Sequence, residues 1–333
     1  MKPNVHILYT PFTGVGLHGG FRGNTWFKHR ISIFKNYTLK SLANQTNRNF
    51  LLWLSFRAEE ESNPLIHEIA KELHLAGVPY IFTFHGLMYH DDRFSNYDLK
   101  TKVRNFAQMV YDGYKTKEMK PLSEIWKYTW EHKNKTLPYR LAQSISQIKD
   151  HIGSEYDWVY VTRIDSDDMF NKQAIELIQQ QEPEVRKALS FQEGYMYNVE
   201  TGQLGEWLPP TNPPFHTIIF PAETFFYPTE HLAYYRDFRS HEDIPRVFFT
   251  TQLDMNQYCV TAHGKDHIST SWDVPTAKRV YQEVKYRGYS HTTSGKNIST
   301  RWESRLTKQK NHMLGKEFTD PEEKKAILEQ FGL

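Results

Sequence analysis

Tyr160–Phe170, YVTRIDSDDMF, joins an apolar run that reads as a buried strand to three carboxylates within four residues, Asp165, Asp167 and Asp168. Like charges that close need a compensating cation, a set of hydrogen-bond donors, or full exposure to water. A parallel strand covered on both faces reads as a continuous apolar run, and ligands sit outside its carboxyl end. The stretch therefore predicts an α/β fold whose site lies at that edge. Asp165 and Asp167, an i, i+2 pair leaving a strand, can turn toward one divalent cation, directly or through water. Mg²⁺ or Mn²⁺ held this way keeps water and takes its other ligands from substrate phosphates, so it neutralises charge on a diphosphate. The plainer reading is a capping turn, with Asp167 or Asp168 at the start of a helix near Lys172. An EF-hand loop is disfavoured, because Phe170 stands where that pattern demands glycine.

Upstream, strand and helix signals alternate. Val5–Tyr9 (VHILY) is a short strand that stops at Thr10-Pro11, and a glycine-rich stretch, Gly14–Gly23, follows it. A helix is expected over Thr38–Gln45, and Phe50–Phe56 (FLLWLSF) reads as a second buried strand. Asn63-Pro64 marks a helix start, Leu65, Ile66, Ile69 and Leu73 share one face, and Gly77 stops it. Val78–Phe84 is a third strand. This order predicts a mostly parallel sheet with helices packed on both faces. Asp91–Lys135 is more polar and reads as an insertion, with Val103, Phe106 and Val110 marking a helix inside it. Pro138 then opens a helix whose Leu141, Ile145, Ile148 and Ile152 follow 4, 3, 4 spacing. Beyond the carboxylates, Ala174, Ile175 and Ile178 suggest a short helix. Four prolines in Leu208–Phe215 (LPPTNPPF) exclude a helix or central strand there.

Composition narrows the class. The 333 residues carry a net charge of +2, far too little to imply nucleic-acid binding. A single cysteine, Cys259, excludes an intrachain disulfide framework and fits a reducing compartment. The apolar stretch near the N-terminus is too short for a signal-peptide core, and no later run reaches the ~18 apolar residues of a membrane span. A cytoplasmic protein is expected. Domain boundaries are read as a catalytic domain over 1–275, with the insertion at 91–135, and a basic extension over 276–333 that ends in a helix. Thr276–Met313 holds nine Lys/Arg against two Glu. That arm admits peripheral contact with an anionic membrane surface, where lipid-linked acceptors reside. A basic linker before a solvated tail helix is the favoured reading.

The run VYVTRIDSDDMF resembles the metal-binding Asp-X-Asp segment of nucleotide-sugar glycosyltransferases of the GT-A fold. Within that group it is most similar to a rhamnosyltransferase family with an Arg-hydrophobic-Asp-X-Asp stretch. Trp26–Phe56 (WFKHRISIFKNYTLKSLANQTNRNFLLWLSF) is similar too, in its arginine, its Ser-Leu-X-X-Gln helix end and its aromatic-led second strand. The resemblance covers about the first 175 residues. It implies a GT-A-like, Rossmann-related catalytic domain that uses Mn²⁺ or Mg²⁺, a nucleotide-diphosphate sugar donor, and a glycan or lipid-linked acceptor.

For particular residues, the resemblance implies nucleotide contacts from Thr10, Pro11 and Phe12 after the first strand, with Arg30 as a donor-site cation. Arg163 and Arg140 are further candidates for the diphosphate, with ordinary ion pairs as the alternative. Asp165 and Asp167 are the metal ligands, Asp165 also touching the donor, and His263 (or His267) completes the metal shell. Inverting enzymes of this fold take the acceptor proton on a carboxylate well downstream. Glu242 and Asp243 in SHEDIPRVF fill that place, Asp243 as the base, with Glu193, Glu206 and Asp254 as competitors. Trp207, Phe215, Tyr195 and Tyr197 offer rings on which a sugar can stack. Two other functions remain open: a carbohydrate-binding protein without turnover, and a haloacid-dehalogenase-like phosphatase. The phosphatase reading is disfavoured because its motif belongs on the first strand.

Overall fold

The computed structural model describes residues 2–12, 23–56, 60–85, scattered positions between 99 and 126, 137–207, 215–231, 244–262 and 314–333. From the N-terminus these form β1 (Val5–Pro11), α1 (Gly23–Asn36), α2 (Thr38–Ala43), β2 (Leu51–Ser55), α3 (Leu65–Leu75), β3 (Tyr80–Thr83) and α4 (Leu137–Ile152). Then come β4 (Trp158–Arg163), β5 (Met169–Phe170), α5 (Ala174–Gln179), β6 (Lys187–Ser190), β7 (Gly194–Asn198), β8 (Gln203–Trp207) and β9 (His216–Pro221). Last are α6 (Ala222–Phe226), α7 (Ile244–Val247), β10 (Phe249–Gln252), β11 (Tyr258–Ala262), β12 (Leu314–Phe318) and α8 (Pro321–Glu329). The fold is α/β and rich in parallel strand pairs. It divides into two compact units, one formed by residues 1–33, 50–159 and 220–240, the other by 34–49, 160–219 and 241–333.

In the first unit, β1, β2 and β3 pair in parallel and in that order, with Tyr9 opposite Trp53 and Trp53 opposite Ile81. All five residues of β2 are buried, which is why its sequence is apolar without alternation. The Trp53 indole N–H is matched by Thr83 Oγ1 at 2.8 Å, and the Trp53 ring lies 4.6 Å from that of Tyr9. The expected caps of α3 are present. Asn63 Oδ1 accepts from Leu65 N at 3.1 Å. Gly77 takes φ 61°, which lets Val78 N reach back to Leu73 O. On α4, Leu141, Ile145 and Ile148 are buried as their spacing predicts. Most of the 91–135 segment lies outside the described residues; within it Val103, Phe106 and Val110 are helical.

The second unit holds two sets of strands. Strand β6 pairs in parallel with β10 and antiparallel with β9, and the hydroxyls of Thr162 on β4 and Thr217 on β9 meet at 2.6 Å. A five-stranded sheet runs in the order β12-β8-β7-β11-β5. Its core is Met169, Leu204, Cys259, Phe318 and Phe331, with Tyr195, Tyr197, Ile327 and Leu328 packed against it. Burying side chains of this size stabilises by about 1.5–3 kcal/mol each. The terminal helix is therefore docked rather than solvated, contrary to the sequence expectation. Gly194 is required on β7 because a Cβ there would meet Tyr258 O at 2.5 Å. The proline-rich 208–214 and the basic arm 276–313 lie outside the described residues. Among the described residues no helix is long and apolar enough to cross a membrane.

Candidate active site

Strand β4 ends at Arg163, and the chain turns at once: Asp168 N donates to Asp165 O at 3.2 Å. The turn delivers three carboxylates into three different settings. Asp165 is gripped by Arg163, whose Nε and Nη2 donate to Oδ1 and Oδ2 at 3.0 and 3.3 Å. The Arg163 side chain is 8% exposed and that of Asp165 28%, so this two-pronged pair is only partly open to water. Such a fork orients a carboxylate as well as neutralising it. Asp168 is buried, and its Oδ1 accepts from Thr261 N at 3.3 Å. Asp168 therefore does not cap the next helix, whose N-cap Gln173 has no side-chain cap bond; Asn171 Oδ1 accepts from Gln173 N at 3.1 Å in the turn before it. Asp167 is 3% exposed, and its backbone carbonyl accepts a hydrogen bond from the Thr261 hydroxyl.

Two elements distant in sequence hold this turn. On one side β11 supplies Thr261, while its Tyr258 and Cys259 pair with Phe170 and Met169 of β5. On the other side α2 supplies Ser41, whose Oγ accepts from Phe170 N. Gln45, just past α2, donates from Nε2 to the carbonyls of Asn171 (2.9 Å), Phe170 (3.4 Å) and Ser41 (3.0 Å). Its Oε1 accepts from Ile175 N at 3.3 Å. The Ser-Leu-X-X-Gln helix end thus fixes the strand and the helix that follow the carboxylates. Sequence reading noted this motif as part of a resemblance and missed its role. It missed Thr261 as well.

Ionisation near the turn favours neutral neighbours. Burial, and then the Asp168 carboxylate, hold the Cys259 thiol well above its ordinary range, so it has no thiolate for nucleophilic chemistry. Burial and then the carboxylates of Glu193 and Asp168 do the same to the Tyr258 hydroxyl, which donates to Gln192 O at 3.1 Å. Among the described residues no group of three or more His, Cys, Asp or Glu side chains gathers as a metal site. With Asp168 bonded to Thr261 N, the donor set left at the turn is the carboxylates of Asp165 and Asp167. That set fits a hard cation that draws most of its ligands from water and phosphate, not one caged by protein.

The other expected residues lie on several further elements. Thr10 and Pro11 end β1, and Phe12 N donates to Ser55 O. The Thr10 hydroxyl is buried with no hydrogen-bond partner among the described residues. The Phe12 ring packs on Phe27 and Phe56 at 5.7 and 5.2 Å, so the ring is part of the core. Arg30 is buried on α1 rather than on the helix surface. Arg140 lies on α4. These residues belong to the first unit, and Arg163, Asp165 and Asp167 to the second. Glu242, Asp243, His263 and His267 lie outside the described residues. Of the competing carboxylates, Glu193 is buried, Asp254 is exposed, and Glu206 accepts from Lys316 N at 3.0 Å. Phe215 is no platform for a sugar: it is fully buried and stacks on Tyr258 at 3.9 Å and 15°. Trp207 meets both of those rings edge-on. Tyr195 and Tyr197 are half-buried.

No family model matches the sequence, and comparison with curated proteins finds no match. Among solved structures, S. aureus TarS is similar over 85% of this chain at 11% identity, with a TM-score of 0.33. The chain spans 39% of that TarS chain. A TarS 1–349 complex with UDP is similar over 85% of this chain and 65% of its own, at 10% identity and a TM-score of 0.32. A Desulfovibrio desulfuricans protein assigned as a nucleotide-diphospho-sugar transferase covers 93% of this chain and 98% of its own, at 13% identity and a TM-score of 0.30. At these values the likeness is too slight to assign an activity.

Proposed function

We propose that this chain is a glycosyltransferase that moves a sugar from a nucleotide-diphosphate donor to a glycan acceptor with the help of Mn²⁺ or Mg²⁺, by inversion. One observation carries the reading: the carboxylates of Asp165 and Asp167 leave the carboxyl end of a buried strand in a turn pinned by Thr261, Ser41 and Gln45. A capping turn needs no such bracing from two distant elements, and α5 has no side-chain cap from these carboxylates. A phosphatase of the haloacid-dehalogenase type is disfavoured because the motif ends β4 and not β1.

Asp165 and Asp167 would hold the cation, whose chemistry is to neutralise the diphosphate as it departs. Arg163 keeps the Asp165 carboxylate in one orientation. Asp243 accepts the proton of the acceptor hydroxyl as that oxygen bonds to the anomeric carbon. The bond from the anomeric carbon to the diphosphate breaks, and the nucleoside diphosphate leaves with the electron pair. The test is release of nucleoside diphosphate from a panel of nucleotide sugars, dTDP-rhamnose and UDP-sugars among them, with Mn²⁺ or Mg²⁺ and with chelator. Metal-dependent release from one donor, lost in Asp167→Ala, is expected. No release from any donor, or full activity in Asp167→Ala, overturns the reading.

A further inference from the structure

A pocket of about 380 Å³ opens in the second unit where α8 and β12 meet β7 and the turn before β11. That size falls within the roughly 300–1,000 Å³ of small-ligand sites. Tyr195 and Phe318 supply aromatic surface, with Ile327 and Ala326 beside them. The Tyr195 ring is locked edge-on against Phe318 at 5.7 Å and Phe331 at 6.0 Å. Four amide side chains, Asn171, Asn256, Gln257 and Gln330, line the rest. Gln257 is 9% exposed. Its Nε2 donates to Met255 O at 3.2 Å, and its Oε1 is buried with no hydrogen-bond partner among the described residues. Glu323 is the one charged lining residue among the described residues, and it is paired with Lys316 Nζ.

This lining selects by chemistry. The cation beside the lining, Lys316, is already paired with Glu323 and lies over the Phe318 ring, so a phosphate or carboxylate ligand would have to compete with Glu323 for it. Side-chain amides both donate and accept, as vicinal hydroxyls require, and fixed rings cover the apolar face of a pyranose. The pocket also lies close to the carboxylate turn. Asn171 is four residues beyond Asp167, a separation that an extended chain spans in at most about 14 Å.

We propose that this pocket is a second saccharide-binding site, specific for neutral sugars, that anchors the acceptor glycan beside the Asp165–Asp168 turn. The anchoring role rests on the transferase reading; the saccharide site itself does not. The test is saturation-transfer difference NMR on the full chain with methyl glycosides of glucose, galactose, N-acetylglucosamine and rhamnose. No nucleotide or metal is present. Transfer to the ring protons of at least one glycoside is expected, unchanged by added UDP with Mn²⁺. The signal should be lost in Ala326→Trp, a substitution at an exposed helix position that fills the mouth, and fall several-fold in Asn256→Gly, which keeps the left-handed backbone (φ 65°). No transfer from any glycoside overturns the proposal. So does a signal that persists in folded Ala326→Trp or is displaced by UDP. Binding without turnover of any nucleotide sugar keeps the saccharide site and removes the transferase; turnover without binding does the reverse.

Discussion

Replacing Gln45 by leucine tests whether α2 holds the carboxylate turn. Leucine matches glutamine closely in bulk, so packing is largely kept while four hydrogen bonds go. Two of those are of full strength, to Asn171 O at 2.9 Å and Ser41 O at 3.0 Å. The bonds to Phe170 O and Ile175 N, at 3.4 and 3.3 Å, are weak. Each buried group left unsatisfied costs about 1–3 kcal/mol, and the added apolar burial returns part of that. The expected loss is about 2–3 kcal/mol, set against a total stability on the order of 5–15 kcal/mol. With a urea m-value of about 1–3 kcal/mol/M, the midpoint should fall by roughly 1 M. Two compact units need not unfold together, so hydrogen exchange by mass spectrometry is the sharper assay. Peptides covering 168–176 should lose protection, because the amides of Phe170 and Ile175 bond to Ser41 and Gln45, whereas β1–β3 should not change. If donor turnover is found, it should drop by roughly ten- to a hundred-fold, the effect of a reacting group displaced by about 1 Å. An unchanged midpoint with unchanged exchange over 168–176 would refute the bracing role.

Thr261→Val removes the hydroxyl bond to Asp167 O and keeps the side-chain shape; a loss of about 1–2 kcal/mol is expected. Thr261→Ser should restore both stability and turnover, and a valine variant with wild-type values would remove Thr261 from the site. His6 on β1 is buried, and burial lowers its pKa from 6.5 to about 3. Its neutral form is native, so its contribution is complete above pH 6.5 and is lost as pH falls toward 3. Between pH 6.5 and 5 the loss is about 2 kcal/mol at 1.36 kcal/mol per unit. Urea midpoints of His6→Gln should lack that component; parallel pH profiles for the two proteins would rule it out.

The parallel core was legible because its cause is local in sequence. Residues of β1, β2 and β4 are covered on both faces, and an unbroken apolar run is the direct record of that. The second sheet leaves no such record. In β7, GYMYN, buried and half-buried positions alternate. In β12, LGKEF, Phe318 is buried while Lys316 and Glu317 are exposed. Neither run is apolar enough to announce a strand. The docking of Phe331 was hidden for a related reason: α8 has no buried residue of its own, and its anchor lies just past the helix end.

The carboxylates divide along the same line. Arg163, two residues from Asp165, was nameable as its partner from spacing alone. Thr261, 93 residues from Asp168, and Gln45, 130 residues from Ile175, are joined to the turn only by the fold. Their contribution changes the electrostatic argument about the site. Repulsion among Asp165, Asp167 and Asp168 is not left for a cation alone to relieve: a guanidinium faces Asp165 and a backbone N–H faces Asp168. On the proposed reading the turn would already be formed before a metal arrives, and binding a cation would require little rearrangement of the chain. Preorganisation of this kind lowers the cost of association. On the proposed transferase reading two carboxylates would suffice, since a diphosphate would bring the remaining oxygens and charge.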